Sequence, residues 1–219
     1  MKILQPHKTQ YPLVRYGKDN DGGYILADGL DYDLFLSCGI GNDLSFDLMF
    51  RKFHPDIEAH AFDGTTLYID ELESGIKYHR ICIGANNSET HTNLHDYLSK
   101  HKNVFIKMDI EGYERDWIES LPDELLNNIK QLVIEFHGLH VSMPFIWKIL
   151  KSHTLIHIHA NNYGGTIEVN NNAYPNVFEC TFLRNDVATF EPYTGALPLP
   201  IDMPNNSRNR DIDLNFLTR

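Results

Sequence analysis

At 219 residues the chain has room for one domain with a sizeable core, and its 42% apolar and 22% charged content is that of an ordinary folded protein. A net charge of −11 leaves no general basic face for nucleic acid or an anionic membrane, and no apolar run reaches membrane-spanning length. Met1–Tyr16 lacks the apolar core of a secretory signal, and an odd set of cysteines inside strand-like runs, Cys38, Cys82 and Cys180, suits buried free thiols in a reducing, cytoplasmic setting.

Residues 1–30 form a cover segment in which Gly22-Gly23 marks a turn, and Tyr24-Ile25-Leu26 reads as a short strand or the start of a helix. Tyr32–Gly41 is a buried strand running into the turn Gly39-Ile40-Gly41. Leu44, Leu48 and Phe53 follow at helical spacing, with Asp43 placed to cap. Strand, glycine turn and helix make a βα unit whose backbone a ligand can approach closely. Any tight βα turn uses glycine, however, so the turn taken alone is weak evidence. A second strand, Ile57–Asp63, ends in an acid about 20 residues beyond the turn, the spacing of a carboxylate that holds ribose hydroxyls. Tyr78–Gly84 reads as a third strand, and an amphipathic helix then carries Leu94, Tyr97 and Leu98.

The central strand opens on Val104-Phe105-Ile106 and delivers Asp109, Glu111 and Gly112 at its end. Acids there suit the start of a helix, which accounts for Glu111 and Glu114. It accounts less well for Asp109, which belongs to the strand end where ligands collect. Helices over Tyr113–Leu121 and DELLNNI come next, then the strand Gln131–Gly138, whose alternation puts Glu135 and His137 on one face. A helix over Ser142–His153, a strand over Thr154–Gly165 and a last strand over Asn176–Arg184 complete the domain, with residues 185–219 as an extended tail packed on it. Asn161-Asn162 and Gly164-Gly165 read as turn formers. Trp117 and Trp147 read as core residues. Strands alternating with helices predict a three-layer, doubly wound α/β domain with a mostly parallel sheet and an antiparallel pairing at one edge.

The segments SCGIGNDLSFD, HAFD, TNLHDYLSK and above all KMDIEGYE at Lys107–Glu114 resemble the FkbM-type methyltransferases of the class I, Rossmann-like group, over Gly22 to Arg184. The resemblance implies a seven-stranded sheet with the last strand antiparallel. It implies S-adenosyl-L-methionine at Gly39, Gly41 and Asp63, and Ile40, Ser45, Asp109 and Glu111 complete the candidate cofactor contacts. It further implies methyl transfer to an oxygen, with a sugar or glycan as acceptor.

A sugar hydroxyl is a weak nucleophile, so it needs a positioned base or a metal. His137 and His159 are the candidate bases, with Asp109 beside them. Asp109, Glu135, and His159 or Asn161 converge from three strand ends as an oxygen-rich set suited to Mg²⁺ or Mn²⁺. Each histidine could equally be a satisfied core residue, whereas a buried carboxylate such as Glu135 demands a partner. Tyr24, Glu111, His137 and Asn161 are the candidate substrate contacts, and Asp21 could close over the site with Tyr24. Glu111 could also hold the cofactor's amino group or cap the next helix. The competing readings are a non-sugar O-methyltransferase, a non-catalytic module that keeps the fold, and a nicotinamide-dependent oxidoreductase. The missing third glycine weakens the last.

Overall fold

The computed structural model describes residues 2–66, 75–170 and 172–219. Strands β1 (His7–Lys8), β2 (Leu13–Tyr16) and β3 (Tyr24–Ala27) lead into β4 (Leu34–Cys38), α1 (Ser45–Phe53), β5 (Glu58–Phe62) and β6 (Lys77–His79). Two short strands, β7 (Cys82–Ile83) and β8 (His91–Thr92), precede α2 (His95–Lys100) and β9 (Val104–Met108). The chain continues through α3 (Glu114–Ser120), α4 (Asp123–Leu126), β10 (Ile129–His137), α5 (Leu139–Ile149), β11 (His153–Val169), β12 (Asn172–Arg184) and β13 (Glu191–Pro192).

Seven of these strands form one sheet in the order β11-β12-β10-β9-β4-β5-β6. From β10 to β6 all neighbours are parallel, whereas β12 runs antiparallel to both β10 and β11. The mostly parallel seven-stranded sheet with its last strand antiparallel is therefore present. That strand is inserted beside β10, and β11 forms the edge.

Alternation along the strands sorts the core into two clusters. On one face Leu36, Ile106 and Ile134 meet Leu98, Trp117 and Ile146 from the helices and Leu197 and Leu214 from the tail. On the other, Phe35 and Phe105 pack against Phe50 of α1, with ring centroids 4.3 and 4.4 Å away, and against Tyr24 and Leu26 of the β2–β3 hairpin. Buried polar residues on this second face have a structural task. Gln131 exchanges hydrogen bonds with the backbone of Ala27, and Thr181 donates to the carbonyl of Ile25, so buried side chains of the sheet satisfy these backbone groups and tie the hairpin to it.

Three expectations change. Tyr78–Gly84 is not one strand: β6 ends at His79, and Cys82–Ile83 pairs instead with His91–Thr92. A hydrogen bond from Ile81 N–H to His79 O folds the backbone between them. The Asn161–Gly165 stretch is no turn but a register shift inside β11, which runs on to Val169. The reversal comes at Asn170, in the left-handed conformation with φ +51°. Trp147 is 61% exposed and not core, because α5 buries Leu139, Ser142, Ile146 and Ile149 and the next position turns about 100° away. Trp117 is fully buried, as expected.

Candidate active site

The parallel strands end at a cleft of about 510 Å³ lined by the turn after β4, the ends of β5 and β9, and the N-terminal Lys18–Tyr24 segment. Its floor depends on two glycines. Gly39 has φ +73°, and a Cβ there would lie 1.6 Å from the Asp109 carbonyl oxygen, so only glycine lets the turn cross the end of β9. Gly41 has φ +52° and faces open space.

Asp63 holds this turn in place. Its Oδ2 accepts the N–H groups of Ile40 (3.2 Å) and Gly41 (2.8 Å), and its Oδ1 accepts the Thr65 hydroxyl and the Thr65 and Thr66 N–H groups. Burial opposes ionisation of Asp63, but these donors outweigh it and hold the carboxyl below its usual range. Ser45, at the start of α1, accepts the Lys18 N–H on its hydroxyl (2.9 Å).

Beyond β9 the chain turns sharply through Glu111 (φ +56°) and Gly112 (φ +100°). A non-glycine residue held in that region stores strain of the kind found at functional sites. The turn is held by Glu114, whose Oε1 accepts the N–H groups of Ile110 and Gly112, both at 3.1 Å. The same oxygen faces His137 Nδ1 at 3.2 Å. His137 Nε2 then points to Glu111 Oε2 and Glu135 Oε1, each 3.4 Å away. Ligand atoms of Asp109, Glu135 and His137 all lie within 4.8 Å of one another, as a metal ion would require.

The electrostatics of this corner are unusual. Burial pushes the Glu135 carboxyl well above its ordinary range, reinforced by Asp109 and Glu179, while Asn161 supplies only two long hydrogen bonds of 3.2 and 3.3 Å. Burial works against a charged His137, yet Glu114 and the other acids more than offset it and raise its pKa. Tyr24 donates from its hydroxyl to Asp109 Oδ2 (2.9 Å), and Asp109 Oδ1 is buried without a partner.

The structure thus brings Gly39, Ile40, Gly41, Asp63, Asp109, Glu111 and Tyr24 to one cleft, with Glu135, His137 and Asn161 linked to it through Asp109 and Glu111. His159 is placed elsewhere. It is 1% exposed and sits between Glu179 (3.5 Å) and Asp211 (3.0 Å). Burial disfavours its charge, but Asp211 and Glu179 raise its pKa to about 10, so at neutral pH it is a cation committed to two carboxylates. The histidine that lies with Asp109 and Glu135 is His137.

Sequence reasoning gave no role beyond the helix dipole to Glu114, and none to Glu179 or the buried Lys107. Glu114 could have been found from its spacing, since an acid four residues after Ile110 can reach back to the turn's N–H groups. Glu179 carries no local signal: its place beside Glu135 and His159 comes from strand register alone.

Residues 86–163, which carry Asp109, Glu114, Glu135, His137, His159 and Asn161, match the family model described as the methyltransferase FkbM domain. No curated protein matches the chain. Among solved structures, precorrin-6y C5,15-methyltransferase from Geobacter metallireducens GS-15 is 13% identical with a TM-score of 0.43, over 72% of this chain and 84% of that one. LepI, in a structure with SAH and a substrate analogue, is 11% identical with a TM-score of 0.32, over 73% of this chain and 45% of that one. At these values neither neighbour bears on the chemistry. The resemblance of the sequence to the FkbM-type methyltransferases is thus shown, through the match over residues 86–163.

Proposed function

We propose that this chain is an S-adenosylmethionine-dependent O-methyltransferase acting on a sugar hydroxyl of a glycan in a cytoplasmic setting, on a three-layer, doubly wound domain, with help from a divalent cation. One observation supports the reading above others: the strand tips carry a glycine turn braced by an acid on one side and an acid–histidine cluster on the other, with Asp109 common to both. The residues fit the donor. Gly41 leaves open space at the turn, and Asp63 stands beside it. Because Asp63 Oδ1 already accepts three donors, a ribose hydroxyl would bind there by displacing the Thr65 hydroxyl.

Methyl transfer breaks the sulfur–methyl bond and forms an oxygen–methyl bond in line, so alignment supplies much of the rate. The acceptor hydroxyl must also lose its proton. Asp109, Glu135 and His137 would hold Mg²⁺ or Mn²⁺, which supplies acidification of the bound hydroxyl. The fit lies in the donor set: the buried Glu135 carboxyl crowded by the half-buried Asp109, whose Oδ1 has no hydrogen-bond partner, and a histidine whose Nδ1 is fixed by Glu114 so that Nε2 faces the acids. A second reading rests on the same Glu114–His137 pair. Without a cation, Glu114 orients the ring and His137 Nε2 takes the proton directly, a contribution of about 10²–10⁴-fold. Tyr24, Glu111 and Asn161 would contact the acceptor, whose hydroxyl-rich character suits this polar rim better than a phenolic ring.

The test joins calorimetry to a product screen. S-adenosylhomocysteine should bind the wild type, and Asp63→Ala should weaken it at least about tenfold by releasing the turn. Heat from NAD alone would redirect the assignment to hydride transfer. Methylation of a sugar panel should fall after exhaustive chelation, return with Mg²⁺ or Mn²⁺, and be lost in Asp109→Asn and Glu135→Gln. Full activity after chelation would leave His137 as the base and remove the metal.

A further inference from the structure

The cleft holds a second pair of opposite charges that the proposed chemistry leaves unused. Asp47 on α1 is 1% exposed and Lys107 on β9 is 5% exposed, and both line the cleft. Lys107 stands in register with Ser37 on the neighbouring strand, on the face where the glycine turn closes over the sheet. Its ammonium donates to the Gly39 carbonyl (2.6 Å) and lies 5.1 Å from the centre of the Tyr24 ring. That fixes one of its three N–H groups and leaves the charge beneath the turn.

Asp47 is the opposite case. It lies in the first turn of α1, where the helix dipole favours a negative charge. The dipole does not explain why its Oδ1 is buried with no hydrogen-bond partner. Burial lifts its carboxyl above the usual range, against the pull of Lys107 and of the nearby Ser37 hydroxyl. Two ionisable groups withdrawn from water at the wall of a cleft are costly unless something pairs with them. A ligand bearing one positive and one negative group in close succession meets both needs.

We propose that Asp47 and Lys107 form a receptor for the α-amino-carboxylate end of the methyl donor, Asp47 taking its ammonium and Lys107 its carboxylate. This rests on the donor reading above and extends it. Asp63, bonded to the N–H groups of Ile40 and Gly41, serves the nucleoside end. Lys107, bonded to the Gly39 carbonyl, serves the amino-acid end on the other side of the same turn.

Calorimetry with two probes tests it: S-adenosylhomocysteine, and 5′-methylthioadenosine, which keeps the nucleoside and the thioether but lacks the amino acid. The wild type should prefer S-adenosylhomocysteine. Asp47→Asn and Lys107→Met should each weaken that probe about ten- to a hundredfold, the scale of a charge-assisted hydrogen bond, and leave methylthioadenosine unchanged. Retained methylthioadenosine binding also certifies that the variants fold. Equal wild-type affinity for the two probes overturns the receptor. So does a parallel loss of both probes in the isosteric Asp47→Asn, which would mean a structural role. No binding of either probe to the wild type overturns the donor reading itself, and the receptor with it.

Discussion

Two glycines two positions apart in sequence, Gly39 and Gly41, show how differently one residue type can matter. Gly39 is required by contact: a methyl group there would overlap the Asp109 carbonyl, which is backbone at the end of the central strand and cannot swing aside as a side chain would. Gly41 is required only by conformation, since its Cβ would meet nothing within 4 Å. Gly41→Ala should therefore cost about 1–2 kcal/mol, the penalty of left-handed backbone for an L-residue. Gly39→Ala should cost more than the about 1–3 kcal/mol typical of overpacking, because backbone meets backbone. Urea unfolding of the two variants checks this, and equal losses would show that the close approach to Asp109 has no energetic weight. Sequence alone could mark both as turn glycines. It could not rank them, because the Asp109 carbonyl is 70 residues away along the chain. The same limit applies to His137 and His159. The sequence reads both as candidate bases, and only the fold places His137, at the end of β10, beside Asp109 and His159, inside β11, between Glu179 and Asp211.

At the scale of elements, legibility followed local pattern. The continuous apolar runs of β4, β9 and β10 lie close to where the sequence reads them, since a strand buried on both faces is nearly unbroken in Val, Ile, Leu and Phe. The long hairpin of β11 and β12 was legible only in its inner half. Its outer half is polar and partly exposed, and Asn and Gly there look like a loop. The tail was least legible, because it has almost no regular structure and is held by side chains. Asp202 meets His157 (2.9 Å), Asn205 donates to Glu179 (2.8 Å) and Asp211 meets His159. Each of these tail residues answers a buried polar group on the sheet, so the strap depends on pairing as much as on the apolar anchors Leu197 and Leu214. Asp202, with its side chain 1% exposed, should be worth far more than Asp186, which is 68% exposed in its pair with Arg184. Asp202→Ala should approach the about 3 kcal/mol lost when a buried pair is broken, and Asp186→Ala should stay within about 1 kcal/mol. Matching urea midpoints for the two variants would mean that the tail is held by its leucines alone.

For the whole molecule, the buried histidines of β11 bend the stability profile from both sides. His153 is buried, hydrogen-bonded through Nε2 to the Ile129 carbonyl at 2.8 Å, and burial lowers its pKa from 6.5 to about 4. Its folded pKa lies below the unfolded value, so the unfolded chain binds the extra proton first. Stability from neutral His153 is complete above about pH 6.5 and is lost as pH falls toward about 4. His159 is shifted the other way, to about 10, because Asp211 and Glu179 outweigh its burial. Its contribution is complete below about pH 6.5 and is lost as pH rises through about 10. Glu135 adds to the second limb, since a carboxyl held above its ordinary pKa resists the ionisation that rising pH imposes. With a net charge of −11 already opposing compactness, the alkaline side receives further repulsion. Stability should therefore peak near the ordinary histidine pKa. His153→Gln should flatten the acid limb between about pH 6.5 and 4, and His159→Gln should flatten the alkaline limb up to about pH 10. Urea midpoints measured across that range in the wild type and both variants decide it. Limbs that keep their slopes in the variants would assign the pH dependence to surface charge, and the buried pairs would then have no part in it.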